Sequence, residues 1–305
     1  MRDKLLGMLD RLANKVKRFP ASSGVVLVFL LLLSFTLYGV SRPVSHDRDF
    51  VEHLSRLPHV EVNEEGFQVS PLRNWSYEVE GPLNKSWTES PTLYEFGDLK
   101  KIWFLVEPHP GMEAMAHTLL LFEFGDDKLL GLTIEARREI DEGYSAFWGN
   151  WGKFELLYVW ANARDLVQRR AIHLQKQVEI YPIEIERENA VEFLRRMLRG
   201  TVRIENKPRL YNTLFSNCTN EFGKNAGIGW HYSFITIGFA AEHLHSKGLI
   251  KDTRAYSEVR QTATITEYLR NLEKNNPALP AEQFDRELLS HLRQTWSSSL
   301  SKEES

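Results

Sequence analysis

The sequence predicts an α+β domain built on a central antiparallel sheet and preceded by one transmembrane helix. Three observations carry this expectation. Residues 19–41 contain no charged side chain. Short aromatic and β-branched runs bounded by Gly and Pro fill the middle of the chain, as strands joined by turns require. Stretches with apolar residues on one helical face take over toward the C-terminus.

From the N-terminus, six basic residues (Arg2, Lys4, Arg11, Lys15, Lys17, Arg18) and two acidic ones precede the apolar run. A bilayer crossing needs about 20 apolar residues, which "GVVLVFLLLLSFTLYGV" and its flanks supply. The positive-inside rule places residues 1–18 in the cytoplasm and everything after Arg42 outside. A cleaved signal peptide is the competing reading, but its apolar core spans only about 7–15 residues and ends at an A-x-A-like site. "YGVSRPVS" is a poor site of that kind. The expected organisation is therefore a basic segment 1–18, a signal anchor 19–41, a polar stalk 42–68, a folded domain 69–297 and a solvated tail 298–305. With 42% hydrophobic residues and 8 Trp, 10 Tyr and 17 Phe, the domain can bury a sizeable core. A net charge of −3 gives no general attraction to nucleic acid.

Within the domain, "WSYEVEG", "TLYEFG" and "KIWFLVEP" read as strands, and "EPHPGMEAMA" as a loop. "HTLLLFEF" (117–124) and "KLLGLTIEA" (128–136) read as two strands joined through "GDD". Trp148 and Trp151 fall in a Gly-rich loop, "FWGNWGK". "FELLYVWA" and "QVEIYPIEI" read as strands around a helix at 163–174. "NAVEFLRRMLRG" places Val191, Leu194, Met197 and Leu198 on one helical face, with Gly200 as the stop. Further helices are expected at 238–247, 265–275 and 281–297.

The chemistry concentrates on "YNTLFSNCTNEFGKNAG", residues 211–227, which holds the only cysteine. Outside the cytoplasm thiols usually pair, and Cys218 has no intrachain partner. Ser216 or Asn217 can cap a helix whose first turn contains Cys218. There the helix dipole favours an anion, and a nearby imidazolium lowers a thiol pKa further. Cys218 is either such a nucleophile or a small buried packing residue. Of ten histidines, His46, His53 and His59 lie in the stalk, and His173 on a helix face. His243-x-His245 is a weak metal pair, because positions i and i+2 point apart on a helix. No metal or cofactor is expected.

His117 opens its strand after the loop, which puts its ring at the mouth of the sheet. If "GDD" is a three-residue connection, Phe124 faces Lys128 and His117 faces Glu135. Such partners lie about 4.5–5.5 Å apart at Cβ. Glu135 then either orients the imidazole or joins Arg137, Arg138 and Glu139 in a salt-bridge group. The order, a His-bearing strand and then a Cys-bearing helix, suits a circularly permuted papain-like (NlpC/P60-like) fold.

"PLRNWSY", "AHTLLLFEF", "EARREIDEGYS", "ARDLVQRRA", "EIYPI" and "KPRLYNTLFSNCTN" together resemble the Lnb N-terminal periplasmic domain family over roughly residues 69–293. The resemblance implies a periplasmic, papain-like domain at a bacterial inner membrane, with the family's Cys and His falling on Cys218 and His117. Glu135 is the expected orienter, and Asn217, Thr219, Tyr211 and Arg138 the expected oxyanion or supporting residues. The best-described family member, a lipoprotein N-acyltransferase, adds a bundle of transmembrane helices, which the single N-terminal run here does not match. Two function classes follow. One is a thiol-dependent acyltransferase or amide/ester hydrolase acting on a lipoprotein, lipid or peptidoglycan peptide. The other is a non-catalytic envelope binding or assembly module.

Overall fold

The structure, a computed structural model, describes residues 20–41, 43–227, 229 and 231–301; the basic segment 1–18 lies outside them. Its centre is a seven-stranded sheet in the order β10-β6-β7-β8-β9-β3-β4. Strands β6 (Lys101–His109), β7 (Met112–Phe124), β8 (Lys128–Arg137) and β9 (Glu155–Asn162) pair antiparallel. β10 (Glu179–Ile183) adds antiparallel at one side. β3 (Leu72–Tyr77) meets β9 in parallel at Arg73, and β4 (Pro82–Thr88) lies antiparallel on β3. A three-stranded sheet of β1 (His59–Val62), β2 (Gly66–Ser70) and β5 (Thr92–Glu95) stands beside it.

The central strands are continuous apolar runs because both faces of the sheet are covered. From Thr118 to Phe124 every residue of β7 is buried. Helix α2 (Ala163–Gln168) packs on β3, β8 and β9, and α3 (Arg187–Asn206) on β1, β6 and β9. α4 (Cys218–Ala226) packs on β7 and β8. α5 (Ala240–Ser246), α6 (Tyr256–Ala263), α7 (Thr266–Asn275) and α8 (Ala281–Ser301) complete the body. One buried ion pair ties the layers together. The Arg73 guanidinium donates to both oxygens of Asp165 at 2.7–3.0 Å, and Asp165 also accepts from the Trp75 amide.

The three-residue connection and its register are as expected: Phe124 faces Lys128, and the ladder runs to Leu119 opposite Thr133. Other expectations are corrected. "EPHPGMEAMA" is not a loop but the end of the β6–β7 hairpin, turning at Gly111 with φ 75°. Pro108 is tolerated because the ladder is irregular between it and His109. His117 therefore lies inside β7 rather than at its start. Residues 42–68 are no stalk. Phe50 and Leu54 are buried, β1 is exposed except at the buried Val60, and β2 is buried or half-buried throughout. Gly200 does not stop α3, which runs on to Asn206. A Cβ at Gly200 would lie 2.9 Å from the Tyr158 hydroxyl, so the glycine marks a close approach of helix to sheet. α6 and β4 were not anticipated, and α8 takes up residues expected in the tail, as far as Ser301.

Helix α1 (Pro20–Ser41) is continuous over 22 residues. Its described side chains cover 24–39 and 41, and those from Val25 to Leu33 are exposed and apolar. Among the described residues no helix is long and apolar enough to cross a membrane. The foot of α1 is pressed onto the 3-10 turn Trp148–Trp151. Phe35 packs 5.8 Å from the Trp148 ring and 5.1 Å from that of Trp151. A Cβ at Gly39 would lie 2.7 Å from the Trp151 carbonyl oxygen.

Candidate active site

α4 starts where Asn217 leaves extended backbone (φ −98°, ψ 179°) and its Oδ1 accepts from the Asn220 amide at 2.8 Å. The helix ends at Gly227, whose φ of 72° favours a residue without a Cβ. Cys218 is thus the first helical residue. The N–H groups of that turn lack intrahelical partners and form the positive end of the helix dipole. The thiol is buried, yet it lines a cleft of about 660 Å³ shared with His117, Glu135, Tyr144, Phe147 and Tyr211.

His117 is brought to the thiol by β7, which packs on α4. Its Nε2 lies 2.8 Å from Thr133 Oγ1 and 3.3 Å from Glu135 Oε1. Thr133 in turn donates to Glu135 Oε1 at 2.9 Å. Nε2–H therefore donates to the Thr133–Glu135 pair, and the other ring nitrogen, Nδ1, is left for the hydrogen bond with Cys218. Glu135 is anchored from behind by Arg170, a buried residue on the π-helical turn after α2. The Arg170 guanidinium lies 3.4 Å from Glu135 and 3.1 Å from Glu107, and donates to the Leu166 carbonyl at 2.8 Å.

The charges follow from this geometry. Burial pushes the Cys218 thiol up, but His117 and hydrogen bonds from Thr118 outweigh it and bring the group from 9.0 to about 7. Burial pushes the His117 ring down, but Glu135 and the thiolate together raise it to about 10. Burial works against the Glu135 carboxylate as well, and His117 with Arg170 and Arg169 still holds it well below the usual range. Near neutral pH the thiol gives up its proton beside a protonated imidazole, with a carboxylate behind it. This is the arrangement of nucleophile, base and orienter used in covalent catalysis.

Of the other expected residues, Tyr211 is at the cleft and hydrogen-bonded to Tyr144. Burial, and then the thiolate, hold its phenol well above its ordinary range, so it stays a neutral donor. Thr219 reaches Thr118 at 2.8 Å and lies 3.9 Å from the sulfur, supporting rather than facing the cleft. Asn217 is not an oxyanion donor. Its amide nitrogen is committed to the carbonyls of Thr213 at 2.7 Å and Phe234 at 2.9 Å. Arg138 is not at the site either; it donates to the Glu142 carbonyl at 3.2 Å, in the turn after β8. The alternative salt-bridge group around Glu135 does not form. Arg137 donates to the carbonyls of Leu54 and Ser55, and Glu139 pairs with Arg48.

Thr118, Thr133, Arg170 and Tyr144 were missed. Thr133 shares a strand face with Glu135, so the register made it readable. Arg170 carries no local signal, because only the packing of the π-helical turn brings it near. Among the described residues no group of His, Cys, Asp or Glu can hold a metal ion. A second cavity, about 390 Å³ and lined by Phe104, Leu120, Phe222 and Leu244, lies beside α4, but neither Cys218 nor His117 borders it.

Comparison with known proteins adds a likeness over part of the chain. Residues 86–226 match the Lnb N-terminal periplasmic domain. The match covers a little under half of the chain, narrower than the expected 69–293. It begins within β4 and ends with α4, so the Lnb N-terminal segment contains His117, Thr133, Glu135, Arg170, Tyr211 and Cys218. Neither a curated protein nor a solved structure matches the chain.

Proposed function

We propose that the protein is a membrane-anchored periplasmic enzyme that transfers or hydrolyses an acyl group through Cys218, on a permuted papain-like frame. One observation carries this reading: the thiol of Cys218, at a helix N-terminus, is hydrogen-bonded to a histidine that Glu135 and Thr133 orient. The same thiol lines an open cleft, where a packing residue would be sealed off.

In the first half-reaction the Cys218 thiolate attacks the carbonyl carbon of an ester or amide. The oxyanion is met by first-turn N–H groups of α4, with the Tyr211 hydroxyl bordering the same cleft. As the C–O or C–N bond breaks, the His117 imidazolium gives its Nδ1 proton to the leaving alcohol or amine. The acyl group stays on Cys218 as a thioester. Water or an amine then attacks, His117 takes its proton back, and the thiolate is released. Glu135 keeps the ring in the orientation that serves both steps.

The substrate class we assign is an envelope component carrying an ester or amide, such as a lipoprotein, a lipid or a peptidoglycan peptide. The periplasmic family match supports that location. The anchor is α1, whose exposed face is a run of Val, Leu and Phe.

The test is a trapped intermediate. Full-length protein incubated with a p-nitrophenyl ester and quenched in acid should carry the acyl mass on the Cys218 peptide, and hydroxylamine should remove it. Cys218→Ala should show no adduct, and His117→Ala should form it more slowly. The double variant should be no worse than Cys218→Ala. A Cys218→Ala strain with full envelope function would overturn the enzyme reading and leave a binding module on the same fold.

A further inference from the structure

We propose that the two loops framing the thiol cleft form a lipid-contacting rim, so that the cleft opens onto the bilayer surface at the foot of α1. The proposal rests on α1 being the anchor assigned above. Outside α1, half of the large apolar side chains that stand exposed among the described residues fall on just two segments. Ile140, Tyr144, Phe147 and Trp148 come from the first, Leu214 and Phe215 from the second. Phe147 is 61% exposed and Phe215 60%, and it is contiguous exposed apolar surface, rather than scattered single residues, that marks a contact site.

The segments are joined into one surface. Thr213 donates to the Ala146 carbonyl at 2.8 Å, Asn212 to the Asn150 carbonyl at 3.2 Å, and the Leu214 amide to Asn150 Oδ1 at 3.1 Å. Apart from Ile140, which Asp141 and Glu142 separate from the rest, the segments carry no charge from Gly143 to Gly152 or from Leu210 to Asn220. Charged residues resume at the borders, with Glu142, Lys153, Arg209 and Glu221. Tyr144, Phe147 and Leu214 also line the thiol cleft, so the rim of the cleft and the apolar patch share these three residues.

Continuity with α1 decides the occupant. Phe35 stacks on Trp148 and meets Trp151 edge-on, and Phe147 lies 5.3 Å from Trp148 and 6.2 Å from Trp151. The exposed apolar side of the helix thus passes through the two tryptophans into the loop aromatics without an intervening charge. Tryptophan and tyrosine are the residues that settle at the membrane–water boundary, where an apolar ring and a polar edge are both satisfied. A helix in hydrocarbon whose foot carries this patch sets the patch at that boundary. A substrate seated in the bilayer then meets Cys218 without crossing bulk water.

The test uses the full chain with Cys218→Ala, so that introduced cysteines are the only thiols. Phe147→Cys, Phe215→Cys, Leu30→Cys and Leu93→Cys are each labelled with a nitrobenzoxadiazole fluorophore. The proteins are reconstituted in phosphatidylethanolamine–phosphatidylglycerol vesicles containing nitroxide-labelled phosphatidylcholine. Leu30 reports α1. Leu93, beside Tyr94 at the far end of β7, reports a surface remote from the cleft. The rim labels should emit to the blue and lose roughly half of their emission to the nitroxide, as expected for groups set into the headgroup boundary. The Leu93 label should be unaffected.

Rim labels that behave like Leu93 while Leu30 is quenched would overturn the rim and leave the anchor standing. Blue emission at the rim without nitroxide quenching would mean cover by protein, and would also overturn it. Quenching at the rim but not at Leu30 would uphold the lipid contact and remove the anchor. Quenching at neither would end both.

Discussion

Replacing His117 by Ala should return the Cys218 thiol to an ordinary or higher pKa, and the size of the change can be worked from the site. In the native protein burial raises the thiol, while the neighbouring imidazolium and the Thr118 hydrogen bonds carry it from 9.0 down to about 7. Removing the ring deletes the largest of the lowering interactions and leaves burial in place. The midpoint should then rise to 9.0 or above, a change of about two pH units, or roughly 2.7 kcal/mol of lost preference for the thiolate. At pH 7 the thiolate fraction falls from about one half to about one in a hundred. The more basic thiolate is the better nucleophile, with a Brønsted slope of about 0.4–0.5, so alkylation at pH 7 slows only about sixfold. The midpoint is therefore the cleaner readout. Iodoacetamide labelling of Cys218, followed by intact mass from pH 5 to 10, should give half-maximal rate near 7 in the native protein and near 9 or higher in the variant. His117→Gln, which keeps most of the side-chain volume, controls for an opened cavity. A midpoint that stays near 7 in both variants would refute the assignment of His117 as the thiol's partner.

Three further outcomes follow from the same structure. Glu135→Gln removes the carboxylate that raises His117, so the imidazolium should lose its proton below its native value of about 10. The alkaline limb of any pH–rate profile should move to lower pH while the fold survives, a shift read by the same alkylation series; an unmoved limb would leave Glu135 without a role in the pair. Arg170→Met strands Glu135 and Glu107 against an apolar side chain, and removing one partner of a buried ionic cluster costs about 3–5 kcal/mol, so thermal denaturation should show a loss of many degrees. A melting temperature unchanged by Arg170→Met would show that the cluster adds little. Gly200→Ala should destabilise by about 1–3 kcal/mol in urea titration, because its Cβ meets the buried Tyr158 ring at 2.9–3.2 Å and overpacking outweighs the helix-propensity gain. Stabilisation by that change would show that α3 shifts freely on the sheet.

What could be read from the chain alone were the features whose cause is local. The "GDD" connection sets the hairpin because two aspartates accept left-handed φ values of 57° and 55°, and that short loop then dictates the pairing of Phe124 with Lys128. Counting back along the ladder is enough to put His117 beside Glu135. Asn217 before Cys218 announces a helix start, since its side chain can reach the amide three residues on. A cysteine at a helix N-terminus was therefore legible in the chain, and a carboxylate beside the histidine was one of the two readings that the register left open.

The tertiary structure decided the rest, wherever distant segments compete for the same space. Arg170 lies 35 residues beyond Glu135, and only the packing of α2 on β8 and β9, and of its π-helical extension on β3 and α7, turns its guanidinium back to the site. Arg137 and Arg138 look like Glu135's natural partners in sequence. Strand alternation keeps Arg137 on the same face of β8 as Glu135, but the backbone carbonyls of Leu54 and Ser55 take it up instead. The polar composition of residues 42–68 concealed two strands, because β1 buries only Val60 and the burial of β2 comes from neighbours distant in sequence. Asn217 could have faced the cleft or the loops; the carbonyls of Thr213 and Phe234 settled it, since a buried amide goes where its hydrogen bonds are.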